Sequence, residues 1–214
     1  SGGGDAVKPT YDNGTVEYTH VRVENQGDEY DPEDAPLQGR SAECPHCSVV
    51  NEKESIRQKI RGGEFEYSIY GVNYETESGD RAYRSGGKID QEAMEEAANR
   101  VENDFEMLSF LSEPIDVSSR TNDPTNYGME EWRDIFTPRQ LVVQFEFLKA
   151  FQEYVPEIRT KYSADTADAM LTVLTLAASR SMNYNTRLNQ WRDLFGYGSH
   201  LFTDNNLSLK RMSV

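Results

Sequence analysis

The two cysteines of this 214-residue chain are separated by two residues, as Cys44 and Cys47 in the segment ECPHCSVV. Cysteines at this spacing can present two thiolates to one tetrahedral zinc ion, each at about 2.3 Å from the metal. The turn between them also directs backbone N–H groups at the sulfurs. The spacing therefore predicts a zinc knuckle, which supplies two of the four ligands that a structural zinc site needs.

The other two zinc ligands are harder to place. The three histidines are His20, His46 and His200, and His46 lies inside the knuckle, where it is badly placed to share the metal. We therefore expect ligands that are missing or supplied from elsewhere. Two alternatives stay open, a redox-active or disulfide-bonded pair and an inert pair of thiols. The redox alternative lacks the strand-to-helix setting that lowers a thiol pKa.

A second chemically capable group lies near the C-terminus, where the charge changes sign. Residues 180–214 contain five basic and two acidic side chains, hence +3, so residues 1–179 carry −18 of the total charge of −15. Amides and aromatic rings lie between these cations, a mixture suited to nucleic acid. The candidate nucleic-acid contacts are Arg180, Asn185, Arg187, Asn189, Trp191 and Arg192. The alternative is that the cations favour helix C-termini and that Trp191 belongs to the core.

The sequence offers no catalytic residues with a recognisable arrangement. A glycine-rich phosphate loop, a nucleophile elbow and a His-Glu zinc helix are all absent from it. These three kinds of catalytic site are therefore not predicted for the chain.

The overall charge is strongly acidic, with 37 Asp and Glu against 22 Lys and Arg. Acidic surfaces poor in lysine are expected in proteins that work in high salt, and the alternative is an ordinary acidic cytosolic protein. Apolar runs fall short of the roughly 20 residues that a membrane span needs, and a signal peptide is not visible. A cytoplasmic protein without a membrane partner is expected.

The first part of the chain, residues 1–89, is predicted to form a β-rich unit. Residues 15–23 alternate in strand rhythm and are rich in β-branched and aromatic types. Residues 24–43 predict a long loop, because Gly, Pro, Asp and Glu occur there without period. Residues 64–76 read as a strand, with RAYRS after a Ser-Gly-Asp turn as its hairpin partner.

The second part, residues 90–214, is predicted to be a mainly helical domain. The apolar period becomes helical at Asp90 and continues on one face through Leu108. The fold class expected is therefore α+β, a small zinc-ribbon-like β unit followed by helices. Both chain ends read as cut, which predicts a piece of a larger protein.

Two later helices have clear start signals. Thr137 can cap a helix, Pro138 suits its first position and Gln140 can close a capping box. Pro156 should kink or end this helix. Ser163 caps the next one, which is apolar almost all round and is expected to be the buried central helix.

Two stretches carry a resemblance to a known family. YGMEEWRDIFTPRQL, residues 127–141, and ADAMLTVLTLAASRSMNYNTRLNQW, residues 167–191, resemble the central region of the large zinc-ribbon-containing, adenine-specific DNA methylases. That family has an N-terminal domain of unknown function. The recurring elements match Tyr127-Gly128, Trp132, Asp134, residues 136–141 and the Asn-Ser/Thr-x-Leu-x-x-Trp element of residues 185–191. The segments CPHC and GDRAYRS also fit, so the resemblance covers about residues 40–195.

The resemblance implies that this chain is an insert of a restriction-modification type N6-adenine DNA methyltransferase. Because the family's Asp-Pro-Phe-x-Gly-x-Gly loop, which binds the cofactor S-adenosylmethionine, and its Asp-Pro-Pro-Tyr loop are absent from the sequence, we expect the chain by itself to be inactive as an enzyme. The two loops would lie before Ser1 and beyond Val214, as would the first cysteine pair of the ribbon, upstream. The insert would position or recognise DNA while flanking methyltransferase segments bind cofactor and flip the base. The alternative is a stand-alone protein-interaction or RNA-binding module without enzymatic activity.

Overall fold

In a computed structural model of the chain, the described residues are 4–12, 14–23, 30, 37–38, 41–116, 122–192, 196–203 and 206–207. The chain divides into two compact units, with the boundary after Glu92. Helices and small antiparallel sheets occur together, so the predicted α+β class is confirmed. Within the described ranges, every helix is too short or too polar to cross a membrane.

The first unit consists of short antiparallel strands and one helix. Its elements are β1 Gly4–Asp12, β2 Thr15–Val23, β3 Leu37–Gln38, β4 Ser41–Glu43, β5 Val50–Glu52, α1 Lys53–Arg61, β6 Gly71–Glu75 and β7 Arg81–Ser85. The sheets are β1-β2, β3-β4-β5 and β6-β7. The predicted strand over residues 15–23 is confirmed as β2, which pairs with β1 from Asp12↔Thr15 to Gly4↔Val23.

Two predictions for the first unit need correction. The loop predicted over residues 24–43 contains β3 and β4, while most of its other residues lie outside the described part of the chain. The strand predicted over residues 64–76 begins only at Gly71, although RAYRS is its hairpin partner as expected. The alternating aromatic residues before Gly71 follow the strand rhythm without pairing to a strand.

Gly86, directly after β7, lies against the chain that precedes β6. Its N–H donates to the carbonyl oxygen of Tyr70 at 3.1 Å. A Cβ atom at this position would lie 1.8 Å from the carbonyl oxygen of Ile69, far inside van der Waals contact. Only glycine therefore permits this close approach of the two backbones.

We expect Gly86→Ala to lower the free energy of unfolding by about 1–3 kcal/mol, because backbone atoms must move to admit the methyl group. Gly87→Ala is the matched control, since a Cβ atom there meets only the Asp90 carboxylate oxygen at 3.8 Å. Urea unfolding followed by circular dichroism measures both variants. Equal stability of the two would contradict the close approach at Gly86.

The second unit is mainly helical. Its elements, counting α2 that begins before the boundary, are α2 Lys88–Asn103, α3 Phe105–Ser109, α4 Asn122–Thr125, a 3-10 helix Trp132–Ile135, α5 Pro138–Lys161, α6 Ala164–Tyr184, β8 Trp191–Arg192, β9 Tyr197–Gly198, β10 Phe202–Thr203 and β11 Asn206–Leu207. The single helix predicted from Asp90 through Leu108 is broken at Asp104. The Asp104 carboxylate accepts the N–H groups of Glu106 and Met107, so it caps a new helix.

The start of α5 is organised as the sequence predicts. The Gln140 N–H donates to the Thr137 hydroxyl oxygen at 3.3 Å, and the Thr137 N–H donates to the Gln140 side-chain oxygen at 2.9 Å. These two bonds form a capping box, with Pro138 at the first helical position. The helix then continues through Pro156 to Lys161, so of the two outcomes predicted at Pro156, a kink or an end, the end does not occur.

The core of the second unit lies around the start of α5. Its buried members are Ile115, Met129, Ile135, Phe136, Leu141, Leu188 and Leu201. Tyr127 and Trp132 pack against this core as partly buried side chains. The Asp134 carboxylate accepts the N–H groups of Glu130 and Glu131, each at 2.9 Å. These motif residues therefore fix the chain that leads into α5.

The helix α6 differs from its sequence-based prediction. Its start is confirmed, because the Ser163 hydroxyl accepts the Thr166 N–H. Its predicted burial is wrong, since only Ala167 and Leu171 are buried, whereas Leu176 is 65% exposed. An apolar surface all round a helix predicts burial only if other elements cover every side, and in the described residues they do not.

Candidate metal and nucleic-acid sites

The cysteine pair lies in a tight turn between two paired strands, β4 and β5, which meet at Glu43↔Val50. The Cys44 N–H donates to the Val49 carbonyl at 2.9 Å, and the Ser48 N–H donates to the Cys44 carbonyl at 2.8 Å. Ser48 has a φ of 55°, the left-handed conformation that closes the turn. The hairpin thus holds both cysteines at one tip.

The environment of Cys44 favours its thiolate. The backbone N–H of His46, and after it the N–H and side chain of Cys47, hold the pKa of the Cys44 thiol below its ordinary value. The charge of Lys59 acts in the same direction. Donors aimed at a sulfur stabilise its anionic form, which is the form that binds zinc. The donor set at this tip therefore fits one half of a tetrahedral thiolate site.

The described residues supply no further ligands at this tip. In the part of the chain that the structure describes, there is no group of three or more His, Cys, Asp or Glu side chains that could hold a metal ion. The His46 ring contacts Tyr11, with ring centroids 6.0 Å apart, and the His20 Nε2 lies 2.8 Å from an Asp5 carboxylate oxygen. Zinc binding by Cys44 and Cys47 stays a prediction.

We expect the chain to hold zinc weakly, because two thiolates leave half of the four-ligand shell unfilled. Gel filtration in zinc-free buffer should remove most of the metal from the wild type. Elemental analysis then measures the zinc that remains bound. A Cys44→Ser, Cys47→Ser variant gives the background. Stoichiometric zinc that survives in the wild type would show that a histidine or a second chain completes the shell.

The predicted nucleic-acid residues lie where α6 ends and the chain turns into the β8–β9 hairpin. In this element Thr186, Leu188 and Asn189 are buried, and Leu188 belongs to the core of the second unit. The Arg187 N–H donates to the Ile135 carbonyl at 3.0 Å. The element is therefore anchored on the segment that precedes α5.

The Asn189 side chain binds three parts of the chain together. Its amide oxygen accepts the N–H and the hydroxyl of Thr186, each at 2.6 Å. Its amide nitrogen donates to the carbonyl of Asn183 at 2.9 Å and also to that of Ser199. Both donor hydrogens and both acceptor positions are used, so in this conformation the amide has nothing left to offer a base edge.

We expect Asn189→Ala to lower the free energy of unfolding by about 1–3 kcal/mol, because it leaves buried polar partners without hydrogen bonds. Asn185→Ala is the matched control within the same element. Asn185 is exposed and its amide donates only to the backbone and side chain of Ser181. Thermal unfolding of both variants measures the difference. An Asn189→Ala protein as stable as the Asn185→Ala control would contradict the stabilising role of the Asn189 amide.

A polar and aromatic cluster lies beside this element at the end of α6. The Tyr184 hydroxyl lies 2.7 Å from His200 Nε2, and Arg180 Nη2 donates to the same hydroxyl at 3.2 Å. The Arg180 guanidinium is 5.3 Å from the centre of the Tyr184 ring, a cation–π contact. Tyr197 meets Tyr184 edge to face, with centroids 6.0 Å apart. Two residues of α6 and two from the chain around β9 thus form one surface cluster.

The six candidate nucleic-acid residues differ in exposure. Arg180, Asn185 and Arg192 are exposed, Arg187 and Trp191 are partly buried, and Asn189 is buried. Sequence reasoning did not assign His200 to this group. The i, i+4 spacing of Arg180 and Tyr184 on a helix predicts their contact, but His200 reaches Tyr184 only through the turn and hairpin.

The comparisons with known proteins do not assign this chain to a family. No protein-family model matches it, and neither a curated protein nor a solved structure is similar to it at a significant level. The functional argument therefore depends on the residues and their arrangement.

Proposed function

We infer that the chain is the central segment of an S-adenosylmethionine-dependent N6-adenine DNA methyltransferase, where it positions or recognises DNA. The observation that carries this proposal is the exposed group of Arg180, Asn185 and Arg192 beside aromatic side chains at the end of α6. The motif resemblance over about residues 40–195 supplies the class of parent enzyme. Cofactor binding and methyl transfer belong to flanking methyltransferase segments.

The exposed cations suit the phosphate backbone of DNA. Arginine binds phosphate oxygens through charge-assisted hydrogen bonds, which fix the position of a protein without reading sequence. Asn185 can supply sequence information, because a side-chain amide pairs with both N6 and N7 of adenine. Its amide would have to leave its contacts with Ser181, which are on the surface.

The rest of the chain is acidic, and its charge limits the affinity expected for DNA. Residues 1–179 carry a net charge of −18, so their field opposes the approach of DNA. We therefore propose weak binding through the C-terminal stretch. In the first unit, Cys44 and Cys47 would hold zinc as half of a ribbon, a structural role that keeps the hairpin tip fixed.

We expect fluorescence anisotropy with labelled duplex DNA to show weak, salt-dependent binding that an Arg180→Ala, Arg192→Ala variant largely loses. The slope of log K against log salt should fall by about 2, one for each phosphate contact removed. A Lys149→Ala, Arg159→Ala variant is the control, because it removes the same charge from α5. Circular dichroism verifies that each variant is folded.

Equal loss of DNA affinity in both double variants would mean that binding depends on the net charge of the chain and not on the surface at the end of α6. Undiminished binding by the Arg180→Ala, Arg192→Ala variant would remove the C-terminal stretch from the DNA-facing surface. Either result would count against the proposal as stated.

A second candidate function, a protein-interaction module, is favoured by the exposed apolar side chains of the long helices. Val143 on α5 and Val173 and Leu176 on α6 are each more than 60% exposed. Val173 and Leu176 are three residues apart on α6 and so lie on one face of it, and adjacent exposed apolar side chains are typical of interaction sites. A chain that binds no DNA in the anisotropy experiment would favour this function.

A further inference from the structure

The cluster at the end of α6 has a defined pattern of donors and acceptors. The Leu201 N–H donates to the Asn183 side-chain oxygen at 2.9 Å, which fixes the orientation of that amide. The Asn183 amide nitrogen therefore faces His200 Nδ1, 3.3 Å away, and donates to it. In the neutral ring, Nε2 then carries the hydrogen and donates to the Tyr184 hydroxyl oxygen at 2.7 Å.

The Tyr184 oxygen consequently accepts two hydrogen bonds, from His200 Nε2 and from Arg180 Nη2. Its lone pairs are then used, and its own hydroxyl hydrogen is left to be donated. The described residues provide no acceptor for it. The Arg180 guanidinium has five N–H groups and is exposed, so it retains donors for a ligand as well. The cluster therefore presents hydrogen-bond donors to an anion.

An aromatic surface adjoins these donors. Tyr197 packs edge to face on Tyr184, with 76° between the ring planes, and Tyr197 is 47% exposed. Aromatic rings of this kind stack on nucleobases with little dependence on sequence. A phosphate donor group and a stacking ring side by side match the two ends of one nucleotide.

We propose that Arg180, Tyr184 and Tyr197 bind a single unpaired nucleotide of a DNA strand, with its phosphate on Arg180 and the Tyr184 hydroxyl and its base stacked on Tyr197. This inference rests on the proposed DNA-binding function and specifies what the same surface recognises. A base inside a duplex already stacks on its neighbours, so Tyr197 is useful only to one that has left the stack. His200 and Asn183 are positioning residues that orient the Tyr184 hydroxyl.

Two duplexes of one sequence test the proposal. One is fully paired, and the other carries a single extrahelical 2-aminopurine. We expect the wild type to bind the bulged duplex about tenfold more tightly, the factor that one stacked base supplies, and to quench the 2-aminopurine fluorescence. Tyr197→Ala should lose the quenching and the preference, so that its affinities for the two duplexes become equal. Tyr197→Phe, which keeps the ring, should retain both.

The hydroxyl contribution is tested separately with Tyr184→Phe. This variant keeps the ring that packs on Tyr197 and removes the donor to phosphate, so binding of the bulged duplex should weaken about fivefold, as for one lost hydrogen bond. His200→Ala should weaken binding of the bulged duplex by a similar factor, while the 2-aminopurine fluorescence is still quenched by Tyr197.

Three results would overturn the inference. Equal wild-type affinity for the two duplexes without quenching would remove the nucleotide site and leave the proposed DNA binding intact. Quenching that persists in Tyr197→Ala would place the base elsewhere. Binding of neither duplex would overturn the inference and the proposed function together.

Discussion

The buried amide of Asn189 is the interaction on which the C-terminal half of the second unit depends. It ties the end of α6 to the chain that follows the β8–β9 hairpin, since its partners are the carbonyls of Asn183 and Ser199 and the N–H and hydroxyl of Thr186. A buried amide is stabilising only when all of its hydrogen-bonding groups are satisfied. The surrounding backbone therefore has a single arrangement, and Leu188 and Leu201 enter the core on either side of it.

The residues of the two stretches 127–141 and 167–191 are of two kinds. Trp132, Asp134 and Asn189 hold the fold, because they pack on the core or accept backbone N–H groups. Arg180 and Asn185 lie on the surface and are available to a ligand. Residues close together in the sequence can thus serve structure or recognition, and their burial distinguishes the two roles.

The sequence predicts best what depends on near neighbours. The capping box of Thr137 and Gln140 and the strand β2 follow from local chemistry, and both are found. The knuckle turn is also local, and the lowered pKa of Cys44 comes from N–H groups within three residues of it. Confirmation of a zinc site would require ligands that local spacing does not specify.

Long-range features were beyond the sequence for a physical reason. The exposure of α6 depends on which elements cover it, and an apolar helix gives no information about the absence of a neighbour. The contact of His200 with Tyr184 depends on a turn whose path is set by the buried Asn189. Periodicity describes one element at a time, so it cannot show how distant elements meet.

The proline within α5 affects how that helix opens. Pro156 has no N–H, so the carbonyl of Gln152 lacks the donor that a helix normally supplies four residues later. The Thr160 hydroxyl donates to the Pro156 carbonyl at 2.8 Å and holds the turn that follows. One backbone hydrogen bond that would tie residues 156–161 to the preceding turn is therefore missing. Amide hydrogens in this last stretch exchange with solvent through a small local opening, while those near Leu141 and Phe145 wait for the buried core to open.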